Sequence, residues 1–149
     1  MIYSVHSLGE REPATCLQLW GGRLSQLDKT LTIAATLEPF NSGIFSHGSG
    51  SAYPPDRSHA LFPSVVLFTW TNASLDHTFA RALHKQSNAL HRAALADGQN
   101  VSHAALYPNN AMFDTPLEDI YGINVPRLRK IRVEIDPEDV MGLAGGFKF

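Results

Sequence analysis

The sequence predicts an α+β fold, an antiparallel sheet with helices packed on one face. Three observations carry that expectation. The segment Leu61–Trp70 (LFPSVVLFTW) is dense in β-branched and aromatic side chains, which fit a pleated, buried surface. The segment Leu31–Phe40 (LTIAATLEPF) alternates: Thr32, Ala34, Thr36 and Glu38 fall on one face, and Leu31, Ile33, Ala35 and Leu37 on the other. From Leu75 to Ala96 the spacing switches to that of a helix, with Leu75, Phe79, Leu83, Gln86, Leu90 and Ala94 recurring every three or four residues on one stripe. Helical and strand periods in one short chain, read as helices lying over a few antiparallel strands, give α+β.

Composition bounds the rest. With 149 residues the chain is about one ordinary domain, and it is read as one. Apolar residues make up 44% and charged residues 17%, which is neither a disordered nor a collagen-like composition. The net charge of −2 gives no electrostatic case for nucleic acid or an anionic membrane as partner. No apolar run approaches the roughly 20 residues that cross a bilayer. The first residues, MIYSVHSLGEREP, lack the basic-then-apolar pattern of a signal peptide, so the default expectation is a cytoplasmic location. Cys16, the single cysteine, has no partner for an internal disulfide.

Taken in order, Ile2–Val5 is a short strand-like start. Cys16–Trp20 reads as a short helix ended by Gly21-Gly22, since glycine readily takes the left-handed conformation at a helix C-terminus. Pro39 ends the second strand. Asn41–Pro55 (NSGIFSHGSGSAYPP) is a loop by composition, with Phe45 and Tyr53 as apolar anchors, and loops of that length are more often functional than accidental. Pro63 belongs near the start of the third strand or at an edge. Thr71-Asn72-Ala73-Ser74 supplies caps for the long helix, and Asp97-Gly98 ends it. A short strand over Ser102–Tyr107 and an irregular YPNNAMFDTP stretch follow. Asn124-Val125-Pro126 opens a second helix with Asn124 as cap. Its buried stripe is Val125, Leu128, Ile131 and Ile135, and Asp136-Pro137 closes it. The tail, VMGLAGGFKF, carries two aromatic anchors.

Candidate chemistry read from spacing alone is thin. His77, His84 and His91 are seven apart, which puts them on one stripe but about 10.5 Å from each other along the axis. A zinc ion takes ligands within about 2.1 Å, so these three cannot share one. They are read as a solvated helix face, and His47 and His59 as loop surface. Gly48–Ser51 lacks the strand, helix and lysine of a phosphate cradle. Arg127, Arg129, Lys130 and Arg132, with Glu134 among them, read as the exposed sides of the second helix. Neither a nucleophile elbow nor a metal site is present in the pattern.

The segment Tyr107–Phe149 adds a different kind of signal. Tyr107, Asn109, Ala111, Tyr121, Gly122, Arg127, Leu128, Asp136, Pro137, Gly145, Gly146, Phe147 and Lys148 occur in the order of a closing segment that resembles that of the oxygen-dependent FAD-linked oxidoreductases, the berberine bridge enzyme-like family. Upstream, LTIAATLEPF is similar to that family's strand ending in a Gln/Glu-Pro step, and SHGSGSAY stands where its Gly-rich segment does. The resemblance implies that residues 1–106 are the end of a substrate-binding domain and 107–149 the return segment that touches the flavin. It implies FAD as cofactor, Tyr107, Asn109 and Asn110 as flavin-side residues, and Glu38 as a polar group facing substrate. The aromatic residue usual after the motif's asparagine is here Asn110. The family's amino-terminal FAD domain has no counterpart in these residues. The expected activity is oxidation of a small natural product in a secondary-metabolite pathway, with a homodimer or a flavin-domain chain as partner. Two other readings stand beside it: a cofactor-free enzyme guiding a cyclisation or isomerisation by proximity, and a non-catalytic remnant or interaction subunit.

Overall fold

A computed structural model describes residues 2–5, 22–38, 41, 43–47, 50–54 and 62–149. The expected helix Cys16–Trp20, Cys16 itself, the stop at Pro39, and His59 lie outside the described residues. Three strands form one antiparallel sheet: β1 (Ile2–Val5), β2 (Thr32–Leu37) and β3 (Phe62–Thr69), in the order β1-β3-β2. The β-branched, aromatic run is the central strand. It pairs Ile2 with Val65 on one side, and Ile33 with Phe68 and Ala35 with Val66 on the other. Pro63 is the second residue of β3 and is fully buried, so its missing N–H is tolerated at the strand's start rather than at a sheet edge.

Alternation along β3 sorts its two faces. Val66 and Phe68 are buried against α1 (Asp76–Ala96), while Leu67 between them is half exposed. Phe79, Ala82 and Leu90 of α1 join Val66, Phe68 and Leu24 in the core, with Leu31, Ile33, Trp70, Leu75 and Leu83 packed around them. The rings of Trp70 and Phe79 lie 5.0 Å apart, and Trp70 Nε1 donates to the Asp76 carboxylate at 2.7 Å. The alternation predicted for β2 is kept only near its start: Ile33 packs on the core, whereas Ala35 and Leu37 are exposed.

Local capping fixes where α1 begins and ends. Asn72 Oδ1 accepts from the backbone N–H of Ser74 and from its hydroxyl, opening a 3-10 turn that runs into the helix. At the other end Gly98 sits at φ +81°, its N–H bonded to Leu95 O, and Gln99 N–H reaches back to Ala94 O. That crossed pair is a Schellman closure, which needs the left-handed residue that glycine provides without strain.

Past α1 the chain builds two more helices, α2 (Leu117–Tyr121) and α3 (Val125–Ile135), which pack on each other through the turn Gly122–Asn124. Val101, Leu106, Ile120 and Val125 are buried in this part, apart from the cluster under the sheet. The tail returns: Phe147 and Phe149 both set their rings against Tyr121, at 6.4 and 5.1 Å. Asp136 caps the last turn, accepting from the N–H groups of Val140 and Met141.

Four expectations need correction. Ser102–Tyr107 is not a strand; it is a turn and an extended run whose Leu106 N–H bonds Asp119 O at 2.8 Å, so α2 takes the hydrogen bond a sheet neighbour would have taken. Gly22 lies inside a helical turn over 22–24 and does not adopt the left-handed conformation, so it does not end a helix there. Asn124 precedes α3 but makes no side-chain cap, because the 3-10 turn before it already carries the chain in helical geometry. Its amide instead donates to Ser51 O and Ala52 O, pinning the Gly-rich loop. The stripe on α3 is buried only at its start: Val125 is 1% exposed, Ile131 41% and Ile135 80%.

Candidate functional site

The end of β2 delivers Glu38. Its backbone N–H bonds Pro63 O at 2.9 Å, which holds the residue at the sheet's margin, half-buried. Across from it stands the 3-10 turn Pro108–Asn110, introduced by Tyr107 and closed by Asn110 N–H on Tyr107 O. Proline at the first position of such a turn gives up no hydrogen bond. The turn sends its two asparagines in different directions. Asn110 Nδ2 donates to Glu38 Oε1 at 3.4 Å, and Asn109 Nδ2 donates to the Tyr107 hydroxyl at 2.9 Å.

Behind the turn lies a file of aromatic rings. Tyr53 meets Tyr107 edge to face at 6.0 Å and Phe45 at 6.2 Å, so the loop's two anchors expected from the sequence both pack. The Tyr53 hydroxyl donates to Ala105 O at 3.2 Å. Burial, and secondarily the neighbouring Tyr107, push the Tyr53 phenol up to about 12, so it stays protonated and serves as a donor. Of the four residues singled out for flavin or substrate, Glu38 is tied to Asn110, and Asn110 shares a turn with Tyr107 and Asn109.

The donor set at this surface is phenol, carboxamide and carboxylate. An isoalloxazine ring has an apolar body and a pyrimidine edge of carbonyl and N–H groups, which amides and a tyrosine ring can meet. Glu38, Tyr53, Tyr107, Asn109 and Asn110 include no lysine or arginine, so the cluster offers no cation to a phosphate.

Histidine placement differs from the expected solvated stripe. His77 is exposed, but His84 and His91 are half-buried, because the chain after Asp97 folds back over that side of α1. His84 Nε2 meets Asp114 Oδ2 at 2.9 Å. His91 lines a cleft of about 490 Å³ together with Pro54, His103, Leu106, Asp119 and Ile123. Burial lowers the pKa of His91 from its ordinary value of 6.5. Sequence spacing did not reveal this cleft; the seven-residue histidine repeat marked the side of α1, but not what would cover it. Among the described residues no group of three or more His, Cys, Asp or Glu is arranged to hold a metal ion, and no helix is long and apolar enough to cross a membrane. Of the basic residues expected on the exposed sides of α3, Arg127, Arg129 and Lys130 are exposed, whereas Arg132 is half-buried; Arg129 pairs with Glu118, Lys130 with Glu134 and Arg132 with Asp139, at 3.4, 3.7 and 3.4 Å.

Comparison with protein-family models, with curated proteins and with solved structures found no match. What the chain does is therefore argued from its own residues.

Proposed function

We propose that this chain forms the substrate-facing part of an FAD-linked oxidoreductase of the berberine bridge enzyme-like kind, acting on a small natural product, with the flavin's pyrophosphate held by a flavin domain. The observation that supports the reading is the Glu38–Asn110 hydrogen bond, which ties the residue expected to face substrate to the turn that carries Tyr107 and Asn109, 72 positions away.

In this reading the bound flavin supplies the hydride acceptor. The protein's share is placement. Asn109 and the Tyr53 ring hold Tyr107 in one orientation, and the exposed Asn109 amide would offer the ring edge its oxygen, which Tyr107 does not engage. Asn110 engages Glu38 at Oε1, so Oε2 is the oxygen that would receive a proton from a substrate hydroxyl. The stiffness of the site comes from its supports, since the turn leans on a ring file and Glu38 on the central strand.

The fading stripe of α3 supports a partner surface. Ile131, Val133 and Ile135 emerge progressively, and Val140, Met141 and Leu143 beyond them are all more than half exposed. An apolar run of that kind is unusual on a surface that faces only water.

Lumiflavin, which has the ring and no phosphate, tests the reading. Its fluorescence should be quenched on titration with the 149-residue protein, and Asn109→Ala together with Asn110→Ala should weaken the binding by about tenfold, the effect of losing one or two ring-edge hydrogen bonds. Unquenched lumiflavin, or equal affinity for the double variant, would contradict it.

A further inference from the structure

We propose that the cleft between α1, the 102–106 segment and α2 is a second binding site, for a small molecule that carries a protonated amine, with the Asp119 carboxylate as its counter-ion. The site is independent of the flavin reading, since neither Asp119 nor His91 takes part in the Glu38–Asn110 cluster.

Size comes first. At about 490 Å³ the cleft falls within the range of pockets that hold small organic ligands. Its walls divide by chemistry. Pro54, Leu106 and Ile123 supply apolar surface for a carbon skeleton, while His91, His103 and Asp119 supply polar atoms. No lysine or arginine lines it. Two carboxylates do, and they are not equivalent. Glu118 is engaged by Arg129 at 3.4 Å, whereas the Asp119 carboxylate has no hydrogen-bond or ion-pair partner among the described residues. The uncompensated charge of the cleft is therefore negative and sits on Asp119.

Position reinforces charge. Asp119 is held by its backbone on both sides: its N–H bonds Pro116 O at 3.1 Å, and its carbonyl takes the N–H of Leu106 from the cleft floor at 2.8 Å. The anchor and the floor are thus one hydrogen-bonded unit, preorganised before any ligand arrives. Burial favours the uncharged form of His91, so near neutral pH its imidazole does not repel a cation. An anionic ligand would meet a carboxylate with no cation to offset it. A neutral ligand would leave the Asp119 carboxylate without a counter-charge.

Three shape-matched probes test this on the isotope-labelled 149-residue protein: benzylamine, benzyl alcohol and benzoate, followed by NMR. Benzylamine should shift the ring signals of His91 and His103 and the amides of Ala104–Leu106, with benzyl alcohol about tenfold weaker, the effect of one charge-assisted contact, and benzoate causing no shift there. Asp119→Asn should reduce benzylamine to the level of benzyl alcohol. Should that variant fail to fold by circular dichroism, Ala104→Phe, which fills the cleft from its wall and keeps Asp119, should abolish the benzylamine shifts. Benzoate or benzyl alcohol binding as well as benzylamine would overturn the proposal. So would the absence of any benzylamine shift at these residues, or shifts that persist unchanged in the folded variants.

Discussion

Gln86 occupies a position on α1 that its neighbours Phe79 and Leu90 make part of the core, and it is 3% exposed. Among the described residues, neither its amide nitrogen nor its amide oxygen has a hydrogen-bond partner. A buried amide in that state costs free energy that an apolar side chain of similar length would not. Gln86→Met should therefore raise the unfolding free energy in urea by about 1–3 kcal/mol, and a loss of stability would show that the amide has a partner in solution. His91 makes a prediction of a different kind. Its folded pKa lies below 6.5, so the unfolded chain binds more protons through that window. Its contribution is fully present above pH 6.5 and declines as the pH falls through the folded value. Thermal melts taken across that range should slope downward with acidity, and His91→Gln should flatten the slope. Asp28 acts the same way at lower pH. Hydrogen bonds from the Thr30 hydroxyl and backbone hold its carboxylate below 3.8, so its stabilisation is lost only as the pH falls beneath that value.

Among the elements, legibility in the sequence follows local periodicity. The existence of β2 and the bounds of β3 and α1 to within a residue, with the Asp97-Gly98 stop, could be read because each depends on residues within one turn or one strand. What could not be read depends on what packs across. That β3 is central is a fact of pairing, and no property of LFPSVVLFTW distinguishes a middle strand from an edge strand. The apolar residues of Ser102–Tyr107 suggest a strand, but the Leu106 N–H bonds Asp119 O of α2, a neighbour known only once the chain has folded. On α3 the i, i+3 pattern predicts a buried stripe that holds only at Val125, because periodicity carries no information on where the supporting body ends. The consequence is measurable. Phe79→Ala, at a fully buried position, should cost about 3–5 kcal/mol. Ile135→Ala, from the same kind of apolar stripe, should change stability by no more than about 0.5 kcal/mol. Gly98→Ala should cost about 1 kcal/mol, because alanine resists the left-handed closure at φ +81°.

For the whole molecule, the candidate site was visible in the sequence as separate pieces and not as a site. Glu38 and the Tyr107–Asn110 motif were each named by resemblance, but nothing in their spacing joined them. Asn110, where the resemblance leads one to expect an aromatic residue, turns out to be the residue that bonds Glu38. The ring file Phe45–Tyr53–Tyr107 links the Gly-rich loop to the same turn, which explains why that loop carries two aromatic residues at all. The cleft beside His91 had no signature, because its walls come from α1, the loop end at Pro54 and α2 together.

The central claim is that Glu38 and the Tyr107–Asn110 turn form a flavin-facing surface. NMR chemical-shift mapping with lumiflavin on the 149-residue protein addresses it residue by residue. The account predicts that the amide signals of Glu38, Tyr107, Asn109 and Asn110 move together along one binding curve, while those of His103 and Asp119 stay in place. Lumiflavin that perturbs the His91 cleft instead, or no resonance of the turn, would contradict it.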